Sequence, residues 1–242
     1  MLRVKIGTLG VMVMLGVMWS GSVYAEERTD CVSESLPVLE QLEEHLEGGR
    51  QDFASGSMKE AVSAFKCVLS GKELLTSQEL KGREARAVLA EATFMLAEVK
   101  FQEMAAIKLD SVDEKKVQAQ LKAKKAKGVA TIKLLNGVFG YKSDVWSVAS
   151  YSQIGHMYEI FAQELRQVGC PERLNVNQCE IFLGLTEEAA GDIDIKAGEL
   201  YVKAVKLSKK RKVTTVYARR ASEYLVSFQP ERARELGIVV KD

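Results

Sequence analysis

Cys31, Cys67, Cys170 and Cys179 are the only cysteines in the chain of 242 residues, and the last two stand nine positions apart around Pro171. Such a pair can hold a metal, switch redox state or form a staple. Zinc would require further soft or imidazole ligands, and the only histidines, His45 and His156, are remote from the pair in sequence. A redox centre favours a Cys-x-x-Cys spacing beside an electropositive group, which this stretch lacks. The spacing therefore points to structural disulfides, Cys170 with Cys179 and Cys31 with Cys67. One staple per helical hairpin is the simplest of the three connectivities that four cysteines allow. Four buried free thiols are the competing reading.

The other chemistry-bearing patterns are weak. Ser63 and Lys66 match the Ser-x-x-Lys spacing of penicillin-recognising enzymes, but no Ser-Asp-Asn or Lys-Thr-Gly element accompanies them, and Phe65 between them reads as a packing residue. His156 and Glu159 share a helix face without a second histidine to complete a metal site. Lys72 follows Gly71 but has neither the upstream glycine nor the following hydroxyl of a phosphate loop. No catalytic residue, metal ligand or cofactor is expected, and no small-molecule substrate is evident.

Elements that position these residues begin after a leader. Arg3 and Lys5 precede an apolar run from Ile6 to Trp19, which closes on Ser20, Gly21 and Ser22 and then Val23, Tyr24 and Ala25. This is the pattern of a secretory signal peptide over 1–25, cut after Ala25. The run is too short, and too interrupted by Gly10 and Gly16, to read as a membrane span. Removing 25 of 242 residues leaves 217, enough for one helical domain over 26–242. Losing Arg3 and Lys5 lowers Lys+Arg from 34 to 32 against 33 Asp+Glu, so the formal charge moves from +1 to −1. That balance argues against a nucleic-acid partner. A periplasmic or secreted location follows, and in such a compartment disulfides persist.

With three prolines and abundant Ala, Leu, Glu and Lys, the mature chain reads as all-α. Helices are expected over 34–51 and 58–69, parted by Gly56 and an N-cap at Ser57. Others are expected over 82–108, with Val88, Ala92, Met95 and Val99 on one face, and over 113–138. A fifth helix is expected from a cap at Asp144, with Val145, Val148, Tyr151, Ile154, Tyr158 and Leu165 facing inward. Two more are expected at about 177–208 and 214–228, and a polar tail after Pro230.

Two spacings indicate repeats. Tyr151, Ile154, Gly155 and Tyr158 resemble the first helix of a tetratricopeptide repeat, and Ala197, Tyr201 and Ala204 resemble the second. Gly49, Gly56, Ala61 and Phe65 offer a similar pattern near the start, with Asp52 in place of an aromatic and Val68 in place of alanine. Residues 144–232 as a whole are similar to the C-terminal module of envelope tetratricopeptide-repeat proteins of myxobacterial and related bacteria. That resemblance implies an α-solenoid of antiparallel helical hairpins acting as a periplasmic scaffold. Some members of the family are associated with gliding or envelope-spanning machinery. Residues 82–138 match no repeat consensus.

Charge is unevenly spread. Glu40, Glu43, Glu44 and Glu47 crowd the first mature helix. Lys115, Lys116, Lys122, Lys124, Lys125 and Lys127 form one basic group, and Lys206, Lys209, Lys210, Arg211 and Lys212 form another. Both read either as solvated faces or as surfaces for an acidic partner. The expected function is that of a non-enzymatic adaptor for envelope proteins, with the 206–212 run as the partner-binding candidate. The alternative is an accessory module that binds cell wall or an anionic polymer.

Overall fold

The computed structural model describes residues 31–33, 36–109 and 113–239; the expected leader lies outside the described residues. Eight α-helices account for the regular structure there, with short 3-10 turns between some of them and no strand among the described residues. They are α1 (Val38–Ser55), α2 (Met58–Ser70), α3 (Arg83–Ala105), α4 (Glu114–Val138), α5 (Asp144–Gln167), α6 (Val176–Arg211), α7 (Val216–Phe228) and α8 (Pro230–Glu235). No helix among the described residues is long and apolar enough to cross a membrane.

The helix ends follow local chemistry. At the α1–α2 corner Gly56 takes φ +86°, a left-handed conformation that costs glycine little, and this reverses the chain. Ser57 sits at the N-cap of α2 but makes no side-chain cap bond, because its hydroxyl is engaged by Ser55 instead. Asp113 caps α4, accepting from the Lys116 amide at 3.0 Å. For α5 the N-cap position is Ser143; Asp144 is the first helical residue, and its carboxylate meets Arg211 at 3.3 Å. The start of α6 is a capping box, in which Asn175 accepts from the Gln178 amide while the Gln178 side chain accepts from the Asn175 amide. Thr215 caps α7 by accepting from the Ala218 amide at 3.1 Å.

Pro230 opens a further helix rather than a polar tail. Its pre-set φ suits a first helical turn, and Ala233 in that helix is fully buried. Gly198 of α6 makes this return feasible, since a Cβ there would collide with the Gln229 carboxamide.

Consecutive helices pair: α1 with α2, α3 with α4, α5 with α6, and α7 with α8. Each hairpin also meets its successor, through α2–α3, α4–α5 and α6–α7 and through the odd helices α1–α3, α3–α5 and α5–α7. Two pairs interlock through a glycine and an aromatic ring. A Cβ on Gly49 would lie 2.6 Å from the Phe65 ring, and one on Gly155 would lie 3.1 Å from the Tyr201 ring. Those are the α1–α2 and α5–α6 contacts in which a bare backbone lets the neighbouring helix approach.

Three apolar clusters run along the chain. The first joins Leu42, Phe65, Val68 and Leu89; the second joins Phe94, Leu135, Ile154 and Met157; the third joins Tyr201, Tyr224 and Leu225. Burying each large apolar side chain contributes about 1.5–3 kcal/mol. The α3 helix belongs to two of these clusters and is buried well beyond the single stripe that its periodicity marks; Ala85, Ala90 and Ala97 keep its other sides thin enough for close neighbours. On α5 Val148 and Ile154 are buried as expected, whereas Val145 is 39% exposed, because α5 also buries the polar side Ser150, Ser152 and Gln153.

Candidate functional site

Both cysteine pairs lie at disulfide distance, with Cα separations of 6.0 Å for Cys31–Cys67 and 5.6 Å for Cys170–Cys179, and no free cysteine remains among the described residues. The first pair fastens the segment before α1 to the last turn of α2, and His45 Nε2 lies 2.7 Å from the Cys31 carbonyl on the same side. The second fastens the α5–α6 loop to the first turn of α6. No group of three or more His, Cys, Asp or Glu side chains among the described residues is arranged to hold a metal ion.

Ser63 and Lys66 are both exposed on α2, away from the core that Phe65 enters. His156 Nδ1 lies 3.2 Å from a Glu159 oxygen that also accepts from the Tyr201 hydroxyl at 2.7 Å. Burial opposes ionisation of Glu159, but these two bonds outweigh it and hold the carboxyl below its ordinary value. The pair thus orients Tyr201 against Gly155 and belongs to the α5–α6 interlock.

A polar junction that periodicity does not mark lies where α3, α5 and α7 meet. The Arg220 guanidinium of α7 donates to Gln153 Oε1 of α5 at 2.9 Å and lies 5.6 Å from the centroid of the Tyr217 ring. The Tyr217 ring packs edge-on against Phe94 of α3 at 5.1 Å. Glu98 of α3 has one buried carboxylate oxygen with no hydrogen-bond partner. Burial pushes its carboxyl up to about 7 against the pull of Arg220. A carboxylate between Ala97 and Val99, on the stretch of α3 that also buries Phe94 and Leu96, was the sequence signal of this junction.

The two basic groups part company. Lys124 is 1% exposed, and its ammonium donates to the carbonyls of Met104 (3.1 Å) and Ile107 (2.7 Å) and pairs with Glu164 of α5 at 2.8 Å. It is therefore a buried tie among α3, α4 and α5 and no part of a solvated face; Lys127 pairs with Glu103 of α3. On α6, by contrast, Lys206, Lys210 and Arg211 join Lys142 and Lys203 around a cleft of about 560 Å³. Its floor includes Phe139 and Tyr151, whose rings lie 4.6 Å apart. Asp144 is the only carboxylate lining the cleft, and Arg211 holds it. Lys209 points elsewhere, with its ammonium donating to the Leu236 and Gly237 carbonyls after α8. Lys212 ends α6 in the left-handed region at φ 54° and is exposed. Cations surrounding an aromatic floor can hold carboxylates or phosphates electrostatically while the rings cover apolar or sugar surface.

Comparison with known protein families, characterised proteins and solved structures gives no match to this chain.

Proposed function

We propose that the chain is a non-enzymatic scaffold of the cell envelope, built as a tetratricopeptide-like solenoid, that captures an acidic protein partner in the basic cleft beside α6. The observation that carries this reading is the neighbour pattern. Each odd helix packs on its own even partner, and α1, α3 and α5 each pack on the next odd helix as well, as stacked repeats require. The Gly49–Phe65 and Gly155–Tyr201 interlocks support it, since they fall at the repeat-like positions of α1–α2 and α5–α6. Two disulfide-distance pairs suit an exported chain, where thiols oxidise.

Net charge gives no attraction at long range, so capture depends on the local field of Lys142, Lys203, Lys206, Lys210 and Arg211. Such attraction is screened over about 8–10 Å at ordinary ionic strength. A partner held there should elute early in a salt gradient and be lost from a K206E/K210E variant of equal helicity. The Phe139–Tyr151 floor favours a second reading, binding of an anionic cell-wall polymer, because aromatic faces stack on sugars. Co-purification from envelope fractions decides between them. Repeated recovery of one protein supports the scaffold. Sedimentation with purified cell wall and no recovered protein supports the polymer reading.

A further inference from the structure

The two halves of α6 carry opposite charge. Residues 176–195 hold five carboxylates (Glu180, Glu187, Glu188, Asp192 and Asp194) and no lysine or arginine, whereas 196–211 hold six cations and one carboxylate. The helix dipole favours this polarity only within the first and last turns, and all five carboxylates lie beyond the first turn. Arg166 engages Glu187 and Asp194. Glu188 and Asp192 have no ion-pair partner among the described residues, and neither do Lys203 and Lys206.

These unpaired charges share a stripe with exposed apolar side chains. Ile181, Leu185, Glu188, Asp192 and Ile195 follow one another at steps of three and four, and the stripe continues through Glu199 to Lys203 and Lys206. Ile181, Leu185 and Ile195 are 63%, 46% and 52% exposed. The opposite side of α6, with Ala190, Ala197, Tyr201 and Ala204, is the buried one. The α7–α8 turn reaches α6 at Gly198, and the segment after α8 reaches it at Lys209, both beyond this acidic half. Beside the basic half, α8 leaves an open cleft of about 380 Å³ lined by Lys203, Lys206 and Arg232, among others.

A stripe that is acidic and apolar at one end and basic at the other is complementary to itself when reversed. We propose that the chain forms a two-fold symmetric dimer in which the outer stripes of α6 pack antiparallel. Around an axis near the middle of the helix, Glu188 and Asp192 of each copy face Lys203 and Lys206 of the other. Leu185 and Ile195 are covered by the partner helix and its lysine stems, and Ile181 lies just past its end. Such an isologous contact closes on itself and leaves no surplus surface, and the three-and-four spacing is that of a two-helix seam. The inference rests on reading the basic end of α6 as a docking surface, and it names a second copy as one occupant of the Lys203–Lys206 flank.

Sedimentation velocity of the purified chain tests it, with two charge-reversed variants, E188K/D192K and K203E/K206E, checked for equal helicity by circular dichroism. The wild type should sediment as a dimer in low salt and dissociate as salt rises. Each variant alone should bind itself about tenfold or more weaker, because two reversed charges per chain disturb four cross-pairs in a symmetric dimer. An equimolar mixture of the two should recover the dimer, since the all-basic stripe of one then meets the all-acidic stripe of the other. A wild-type chain that stays monomeric at its highest soluble concentration in low salt overturns the inference, as does a dimer indifferent to both reversals. E188K/D192K leaves the cleft at Phe139 and Tyr151 untouched, so if that variant captures an envelope protein as well as a monomeric wild type does, the dimer fails while the scaffold reading stands.

Discussion

Glu98→Gln isolates the cost of the carboxyl placed where α3, α5 and α7 meet. The folded chain raises this carboxyl from 4.5 to about 7, with burial as the main cause and Arg220 opposing. In the unfolded chain Glu98 releases its proton near the ordinary value, so between the two the folded state binds more protons. Stability contributed by this site therefore falls as pH rises through that window; it is unaffected below about 4.5 and fully reduced above about 7. Each pKa unit corresponds to about 1.4 kcal/mol, so the reduction is on the order of 3 kcal/mol. The amide of Gln has nearly the same shape and does not titrate. Urea unfolding of both proteins at several pH values across the window should show the variant gaining on the wild type as pH rises, by up to about 3 kcal/mol. Taking the difference between the two proteins cancels every other titrating group. A difference that stays flat with pH, or a variant that loses stability above neutrality, would refute the argument that Glu98 is desolvated.

The remaining predictions concern packing and staples. Gly155→Ala should cost about 1–3 kcal/mol because its Cβ presses on the Tyr201 ring. Gly191→Ala, a helical site with nothing within 4 Å of the added carbon, should stabilise by about 0.5–1 kcal/mol; paired melting curves compare the two. Replacing Cys31 and Cys67 together should lower stability more than replacing Cys170 and Cys179. The sequence separations are 36 and 9, and the chain-entropy model gives about 4 and about 2.5 kcal/mol. Denaturant midpoints of the two double variants give the order. Lys124→Met should cost about 3 kcal/mol by leaving Glu164 only the exposed Lys108 at 3.6 Å as a partner, and adding Glu164→Leu should recover part of that loss. Recovery stays incomplete because the Ile107 carbonyl still lacks the Lys124 donor, while the Met104 carbonyl keeps only the Ile107 amide.

Helix existence was legible because long apolar periods and cap residues act locally: Asp113 caps its own helix and Gly56 turns its own corner. Cysteine pairing was legible for a related reason, since both pairs are local: Cys31 and Cys67 join the ends of the α1–α2 hairpin, and Cys170 and Cys179 close the loop between α5 and α6. Features that depend on a distant partner were not. Lys124 looks like its exposed lysine neighbours until the carbonyls ending α3 and the Glu164 carboxylate are brought to it. Lys209 departs from the run 206–212 only because α8 ends beside it, and α8 itself was hidden by its polar composition, with a single alanine carrying its burial. The basic cleft needed three separate pieces: the run on α6, Lys142 in a turn, and an aromatic pair from Phe139 and Tyr151. No window of sequence contains all three.

Photo-crosslinking decides whether that cleft captures an acidic envelope protein. A photoreactive side chain is placed at Lys142, which is exposed and lines the cleft, and as a control at Lys59, which is exposed on α2. After irradiation in envelope extract, one dominant protein adduct should form at position 142, joined through an acid-rich segment, reduced by salt and missing at position 59. Equal adducts at both positions, or adducts at 142 that contain polymer and no protein, would contradict it.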